Sequence, residues 1–394
     1  MKKILVLNSG SSSLKYRLFS FNNNEHTLLA KGLAERIGLD GSTLSFQQTG
    51  QEKQKFSIDL PNHEVTLKEI LNLLLKNVLS SIDELSAVGH RLGHGGETFK
   101  SSTIITKDNI SQIREAQNLL PLHGKAFMHG IEAMQKLLPN IPQVAVFDTA
   151  FHQTMPEKAY LYALPMEQYT KHHIRRYGFH GTSHYFVSRE LQKIMPSAHK
   201  IISCHLGSGG SITAIKDGKS IDTSLGFTGT GGIVMGTRCG DIDAFVPLHI
   251  MQTQNKTSEE VHLMLNKECG LYALSGGYSD SRDVEDRYIA GDKMAHTAYD
   301  VYIHGIIKYI GAYIAVLGGV DAIIFTAGIG ENSPLLRQKI CEQLSYLGIK
   351  LDEKNNQLRG QTAEISTPDS KVKVFVIPTD EELVIAEDTY RLTA

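Results

Sequence analysis

Ile4-Leu5-Val6-Leu7-Asn8-Ser9-Gly10-Ser11, near the start of the chain, has a counterpart half a chain length later in Ile201-Ile202-Ser203-Cys204-His205-Leu206-Gly207-Ser208. In each, a short apolar run meets a Gly/Ser turn and a second strand-like segment follows, at residues 16–19 and 212–215. Runs of this length between turn residues read as buried strands. Two strand-turn-strand units in equivalent places suggest a duplicated chain with two similar halves that could close on a ligand, although a pattern this short also arises by chance.

Working outward, residues 144–147, 322–325 and 372–377 are further apolar runs that end in polar or glycine-rich turns. Between them lie helical patterns. Residues 65–82 place Leu67, Leu71, Leu74, Leu75, Val78 and Ile82 on one face and Lys68, Asn72, Lys76 and Asn77 on the other. Residues 294–317 predict a second long helix, apolar on much of its surface, that serves as a core or subunit-contact helix. Strands alternating with helices predict an α/β protein, whose ligands gather where the strands end.

Hydrophobic residues at 41% and charged residues at 21% describe a globular protein, and 394 residues are enough for two domains. A net charge of -2, with Lys and Arg scattered, offers no general attraction for nucleic acid or anionic membrane. Cys204, Cys239, Cys269 and Cys341 stand far apart with no C-x-x-C pair, as reduced thiols in a cytoplasm would. The apolar run after Met1-Lys2-Lys3 ends after four residues, too short for an export signal. The most apolar later stretch, 309–320, falls short of the roughly 20 residues that span a bilayer.

Three loops at strand ends carry the chemistry. In Asn8-Ser9-Gly10-Ser11-Ser12-Ser13-Leu14-Lys15, serine hydroxyls and backbone N–H groups can cradle phosphate oxygens and Lys15 adds charge. A plain polar turn reads equally from the same residues. His205-Leu206-Gly207-Ser208-Gly209-Gly210-Ser211 has three glycines in four positions, costly to order unless a ligand approaches the backbone. In Phe325-Thr326-Ala327-Gly328-Ile329-Gly330-Glu331-Asn332-Ser333-Pro334, Ser333 is an N-cap and Pro334 the first residue of a helix. Its positive end is an anion site, or the loop is an ordinary connection. None is a Walker A loop or a G-x-G-x-x-G fingerprint. Three such loops on two similar halves suit the actin/hexokinase/Hsp70 type of ATP-binding fold.

The first loop, with Asn8, Gly10, Ser11, Ser12, Ser13 and Lys15, resembles the N-terminal signature of the acetate kinase family. Further segments of that family stand in order along the chain. They are Gly89-His90-Arg91 with His94-Gly95-Gly96-Glu97, Val144-Ala145-Val146-Phe147-Asp148-Thr149-Ala150-Phe151-His152, Tyr177-Gly178-Phe179-His180-Gly181-Thr182-Ser183-His184, Met235-Gly236-Thr237-Arg238, and Pro378-Thr379-Asp380-Glu381-Glu382-Leu383. The resemblance implies two duplicated ribonuclease-H-like domains with an active-site cleft between them. The N-terminal domain would span 1–150 with 381–394 and the nucleotide-binding domain 151–380. It also implies a cytoplasmic homodimer that phosphorylates a small carboxylic acid from ATP, reversibly, with Mg²⁺ (or Mn²⁺).

Residue by residue, the resemblance assigns Arg91 and Arg238 to the acid and the transition state, His180 to the transferring group and Asp148 to orienting the site. Asn8 and Glu381 lie with Mg²⁺. Lys15, Ser11, Ser13, His205, Gly207, Ser208, Gly209, Asp280, Arg282, Gly328, Gly330, Glu331 and Asn332 lie with the nucleotide and its phosphates. Elementary chemistry agrees. A carboxylic acid with a pKa near 4 is already the nucleophile at pH 7, so charge neutralisation and in-line positioning are what the site must supply. Arginine forks grip planar oxygens and a histidine N–H can donate to a phosphoryl oxygen. Structural readings compete at some positions: Arg91 or Arg238 as a salt-bridge residue, Glu382 in a capping box with Thr379, Glu381 as a complement to the helix dipole. His172-His173 reads as solvated surface.

The chain departs from the family pattern in four places. Gly93 replaces a small aliphatic residue, and Thr228-Gly229-Thr230-Gly231-Gly232 replaces a Thr-Pro-Leu-Glu-Gly run. In the family those positions, with the equivalents of Leu122 and Phe179, enclose the acid's methyl group. Glycine at two of the four walls predicts a pocket enlarged for propionate, butyrate or a substituted acid. Gly124-Lys125 replaces Asn-Pro, leaving Lys125 to meet a second polar group or to face solvent. Ser208 replaces Asn. In Ser275-Gly276-Gly277-Tyr278-Ser279-Asp280-Ser281-Arg282 the aromatic residue between Asp280 and Arg282 is lost, and Tyr278 is a candidate to stack on the base in its place. Two other readings stay open: a sugar kinase of the same fold with Asp148 as base, and a nucleotide-binding protein without catalysis.

Overall fold

The computed structural model describes residues 1–23, 25–120 and 124–394. The chain forms two compact units, Met1–Ala150 with Asp380–Ala394, and Phe151–Thr379.

The first unit is built on β1 (Lys2–Ser9), β2 (Ser13–Asn22), β3 (Glu25–Glu35), β4 (Thr43–Gln48), β5 (Gln54–Ser57), β6 (Leu85–Leu92), β7 (Thr103–Ile104) and β8 (Gln143–Phe147). They form one sheet in the order β5-β4-β3-β2-β1-β6-β8-β7. The second unit uses β9 (Lys200–Leu206), β10 (Gly210–Lys216), β11 (Lys219–Thr223), β12 (Ala322–Thr326), β13 (Ala363–Glu364) and β14 (Lys373–Val376), in the order β11-β10-β9-β12-β14-β13. The cores coincide strand for strand. β3-β2-β1 and β11-β10-β9 are antiparallel meanders. β1, β6 and β8 then run parallel, as do β9, β12 and β14. This is the duplicated ribonuclease-H-like topology, and β1 and β9 hold the equivalent places that their matching sequences predict.

The continuous apolar run 4–7 follows from burial of β1 on both faces. Leu5 and Leu7 pack with Leu67, Ile70, Leu71 and Leu74 of the helix His63–Asn77. Ile4 and Val6 pack with Ile385 and Ala386 of the final helix Glu381–Leu392. That helix seats closely on β6 because residue 89 is glycine: a Cβ there would strike Thr389 Oγ1 and Ile385 Cγ2. The helix expected over 65–82 stops at Asn77. Ile82–Glu84 is a separate turn whose entry is capped by Ser81, which accepts from Asp83 N–H at 3.2 Å.

In the second unit the helix Lys293–Leu317 is capped by Asp292 and ends at left-handed Gly318 (φ 65°). Its full length corrects the shorter 309–320 reading: by length and composition it is long and apolar enough to cross a membrane. Here it serves as a core helix, burying Ala298, Tyr299, Tyr302, Ile306 and Ile310 against β9, β10 and β12 side chains. All four cysteines are free thiols.

Candidate active site

In the first unit, the parallel ends of β1, β6 and β8 bring three sequence-predicted residues together. Leu7 is in register with His90, and Leu92 with Phe147, so Asn8, Arg91 and Asp148 lie together at the carboxyl ends of these parallel strands. Arg91 grips Asp148 with two donors, Nε to Oδ1 at 3.1 Å and one terminal nitrogen to Oδ2 at 2.6 Å. Its other terminal nitrogen donates to Asn8 Oδ1 at 3.2 Å. Burial opposes the Arg91 charge, but Asp148, Glu381 and Glu382 outweigh it and hold the guanidinium protonated.

Lys15 and Glu382 read differently in the structure. Glu382 makes no capping box with Thr379; Asp380 caps the final helix, accepting from Leu383 N–H at 3.0 Å. Glu382 is instead buried and ion-paired to Lys15 at 2.8 Å and Arg17 at 3.4 Å, which hold its carboxyl below its usual range despite the opposing effect of burial. Arg17 also forks onto Asp380, at 2.9 and 2.8 Å. Lys15 therefore lies on β2 as the partner of a buried carboxylate. The loop before it is a tight hairpin turn, closed by Gly10 N–H to Ser13 O at 2.7 Å, with Ser11 exposed and Ser13 half-buried.

In the second unit, His180 ends a turn in the left-handed region (φ 56°) and precedes the helix Gly181–Ile194. That turn requires Gly178 (φ 76°), where a Cβ would sit 2.8 Å from the His152 ring. The His180 ring stacks on His205, centroids 4.1 Å apart and planes 17° from parallel. Gly209 brings two predicted groups onto one point: a Cβ there would lie 3.6 Å from both His180 Nε2 and an Arg238 terminal nitrogen. The same Arg238 nitrogen donates to Gly229 O at 2.8 Å and touches Met235 Sδ at 3.7 Å. Among the described residues no carboxylate pairs with Arg238, and burial lowers its affinity for the proton. A half-buried guanidinium held by neutral atoms beside an imidazole edge is built to receive an anion.

The nucleotide-side candidates divide. Gly207, Ser208 and Gly209 form the β9–β10 turn, with Gly207 N–H bonded to Gly209 O at 3.0 Å and Gly236 N–H to Ser208 O at 3.1 Å. Residues 327–332, expected as an open loop, form a short helix, Ala327–Asn332. The expected cap follows it: Ser333 accepts from Leu336 N–H, with Pro334 first in the next helix. Gly328 and Asn332 are exposed there and Gly330 is buried. Glu331 is committed to structure, accepting from Ala327 N–H at 2.7 Å and Thr379 N–H at 3.1 Å. Asp280 and Arg282 pair with each other at 2.6 Å, and Asp280 also caps its helix through Arg282 N–H. That Arg282 partnership holds Asp280 near pKa 2. Tyr278 carries the Arg287 guanidinium over one face at 4.3 Å, so that face is not open to a base.

The two glycines expected to enlarge an acid pocket each have close neighbours within their own unit. A Cβ on Gly93 would run into Leu120 Cδ1 and lie 2.9 Å from Phe127 Cε2. The place of a family aliphatic side chain is thus filled by neighbours. At Gly229 a Cβ would press to 3.2 Å from Arg238. Leu122 lies outside the described residues. Phe179 is buried, and its carbonyl accepts from His152 Nε2 at 2.9 Å; burial pushes the His152 pKa down to about 4. Lys125 is exposed, as are His172 and His173.

Sequence reasoning missed Ser203, His184 and Ser211, whose side chains run in file to His180 (2.7–2.9 Å between neighbours). Their signal was alternation: Ser203 and His205 on β9, and Ser211 on β10, are polar positions within buried strands.

A family model described as the Acetokinase family matches residues 3–387. The acetate kinase of Dictyoglomus turgidum is 52% identical over 396 aligned residues, covering 99% of this chain and 97% of that protein. Among solved structures, an acetate kinase from Porphyromonas gingivalis matches with a TM-score of 0.93 at 44% identity, covering 100% of both chains. A propionate kinase from Francisella tularensis matches with 0.93 at 39%, also over 100% of both.

Proposed function

The chain belongs to the acetokinase family and phosphorylates a carboxylate with ATP, and from that premise we propose a residue-level reading of its reaction. The observation that carries it is Arg238, a half-buried cation with only neutral partners among the described residues. A carboxylate oxygen attacks the γ-phosphorus of ATP, the bond from that phosphorus to the bridging oxygen breaks, and ADP leaves with the bridging electrons. The acid needs no base. Negative charge on the transferring oxygens is what Arg238 and a His180 N–H offset. Arg91, its guanidinium held in orientation by Asp148, orients the acid. ATP enters as its Mg²⁺ complex. Among the described residues no three His, Cys, Asp or Glu side chains group to hold an ion of their own. Asn8 and Glu381 offer the hard oxygen donors that suit a cation arriving on phosphate.

The acid is small in this reading: the matching relatives are acetate kinases and a propionate kinase, and Leu120 and Phe127 crowd Gly93. Acetate and propionate are the expected substrates. Trapping the acyl phosphate with hydroxylamine across straight-chain acids of two to five carbons, with ATP, GTP and pyrophosphate as donors, checks this. The expected kcat/KM is highest with acetate or propionate and about ten-fold or more lower with butyrate. A profile that stays level or rises to the five-carbon acid would show an open pocket, and ATP turnover on no acid would sink the reading altogether.

The protein also forms a homodimer in this reading, through the helix Phe245–Gln254, which buries none of its residues and exposes Phe245, Val246 and Leu248, with Leu263 exposed on the helix that follows. Sedimentation is expected to give a dimer for the wild type and a monomer for Phe245→Asp; a dimer in both would place the contact elsewhere.

A further inference from the structure

The catalytic imidazole proposed above is addressed from behind by a buried file of side chains. His180 Nδ1 lies 2.9 Å from Ser211 Oγ. The same hydroxyl lies 2.7 Å from His184 Nε2, and His184 Nδ1 lies 2.8 Å from Ser203 Oγ. Ser203, His184 and Ser211 are wholly buried. Each hydroxyl has one proton to give and a neutral imidazole has one N–H, so the direction of donation at one link sets the direction at the next.

We propose that Ser211 is a positioning residue that transmits the tautomer of His184 to His180, so that His180 presents Nε2 as an N–H donor toward Gly209 and Arg238. Ser203 Oγ–H donates to His184 Nδ1, His184 Nε2–H donates to Ser211 Oγ, and Ser211 Oγ–H donates to His180 Nδ1. The His180 proton is left on Nε2. With every link reversed, His180 Nδ1–H would donate to Ser211, and the neutral ring would turn a lone pair toward the transferring phosphoryl oxygens. An imidazolium would also carry Nε2–H, but it would set a second cation on the side where Arg238 already stands. Burial works for the neutral relay: it drives the His184 pKa well below its ordinary value, and neighbouring His152 and His205 push the same way. The stacked His205 ring, whose Nδ1 lies 2.7 Å from Ser183 Oγ, keeps the plane of His180 fixed while the relay fixes its proton.

The inference rests on His180 serving the transferring group, and the test separates the two. Full-length enzyme with ¹⁵N-labelled imidazoles is examined by long-range ¹H–¹⁵N correlation at neutral pH. The wild type is expected to show His180 as the neutral Nε2–H tautomer; a neutral Nδ1–H ring or an imidazolium overturns the relay without any variant. Ser211→Ala is expected to lose that tautomer preference and to lower kcat by about ten- to a hundred-fold, with KM for the acid and ATP little changed. Ser211→Thr, which keeps the hydroxyl, is expected to recover both. Ser211→Ala with wild-type kcat and tautomer overturns the proposal. His180→Ala with wild-type kcat would instead remove the underlying role of His180.

Discussion

Arg238→Ala is expected to lower kcat by about a thousand-fold while leaving the unfolding midpoint in denaturant unchanged or higher. The two halves of this expectation come from one observation. Arg238 is bonded to Gly229 O at 2.8 Å and to no carboxylate among the described residues, and burial disfavours its charge. Truncation removes a desolvated cation and costs one hydrogen bond to a carbonyl, so the folded state loses little. The reaction loses the guanidinium proposed to offset the accumulating phosphoryl charge beside His180. Arg238→Lys retains charge but not the fork, and is expected to fall between the two. Acyl-hydroxamate kinetics together with urea titration check the pair. A variant that turned over normally but unfolded early would make Arg238 a structural residue and reverse the assignment.

The parts of the fold legible in the sequence were those in which local chemistry and global position agree. Residues 4–7 are apolar at every position because β1 is buried on both faces, and 201–202 share that constraint at the equivalent place in β9. Ser333-Pro334 reads as a helix start because cap and ring constraint act within one turn. What escaped was set by partners distant in sequence. The glycine at 93 reads as vacated space until Leu120 and Phe127 are seen to fill it. Glu382 reads as a helix-cap residue until Lys15 and Arg17 of β2 claim it. Gly328 and Gly330 disguise the helical turn 327–332, because glycine in a short helix carries no periodicity to read. His184 and Ser211 close two of the quoted segments without a role of their own, since only the pairing of β9 with β10 and the return of the helix 181–194 place them behind His180.

Arg91→Ala, in contrast with Arg238→Ala, is expected to cost both activity and stability: kcat lower by about a thousand-fold or more, and the folded state weaker by about 3–5 kcal/mol. The Asp148 side chain is 4% exposed, and the Arg91 fork closes on both of its oxygens at 3.1 and 2.6 Å. Removing the arginine takes away the cation that offsets that burial, and it also withdraws a donor from Asn8 Oδ1. The double variant Arg91→Ala with Asp148→Asn separates the roles. A neutral amide at 148 no longer needs a cation, so a good part of the lost stability should return, as expected for side chains in direct contact. Activity should not return, because the acid would still lack the planar donors proposed to hold its carboxylate in line with the γ-phosphorus. Urea midpoints and acyl-hydroxamate rates on the single and double variants supply both readings. Recovery of turnover in the double variant would mean that Arg91 acts only to neutralise Asp148, and the acid would have to be oriented by another group.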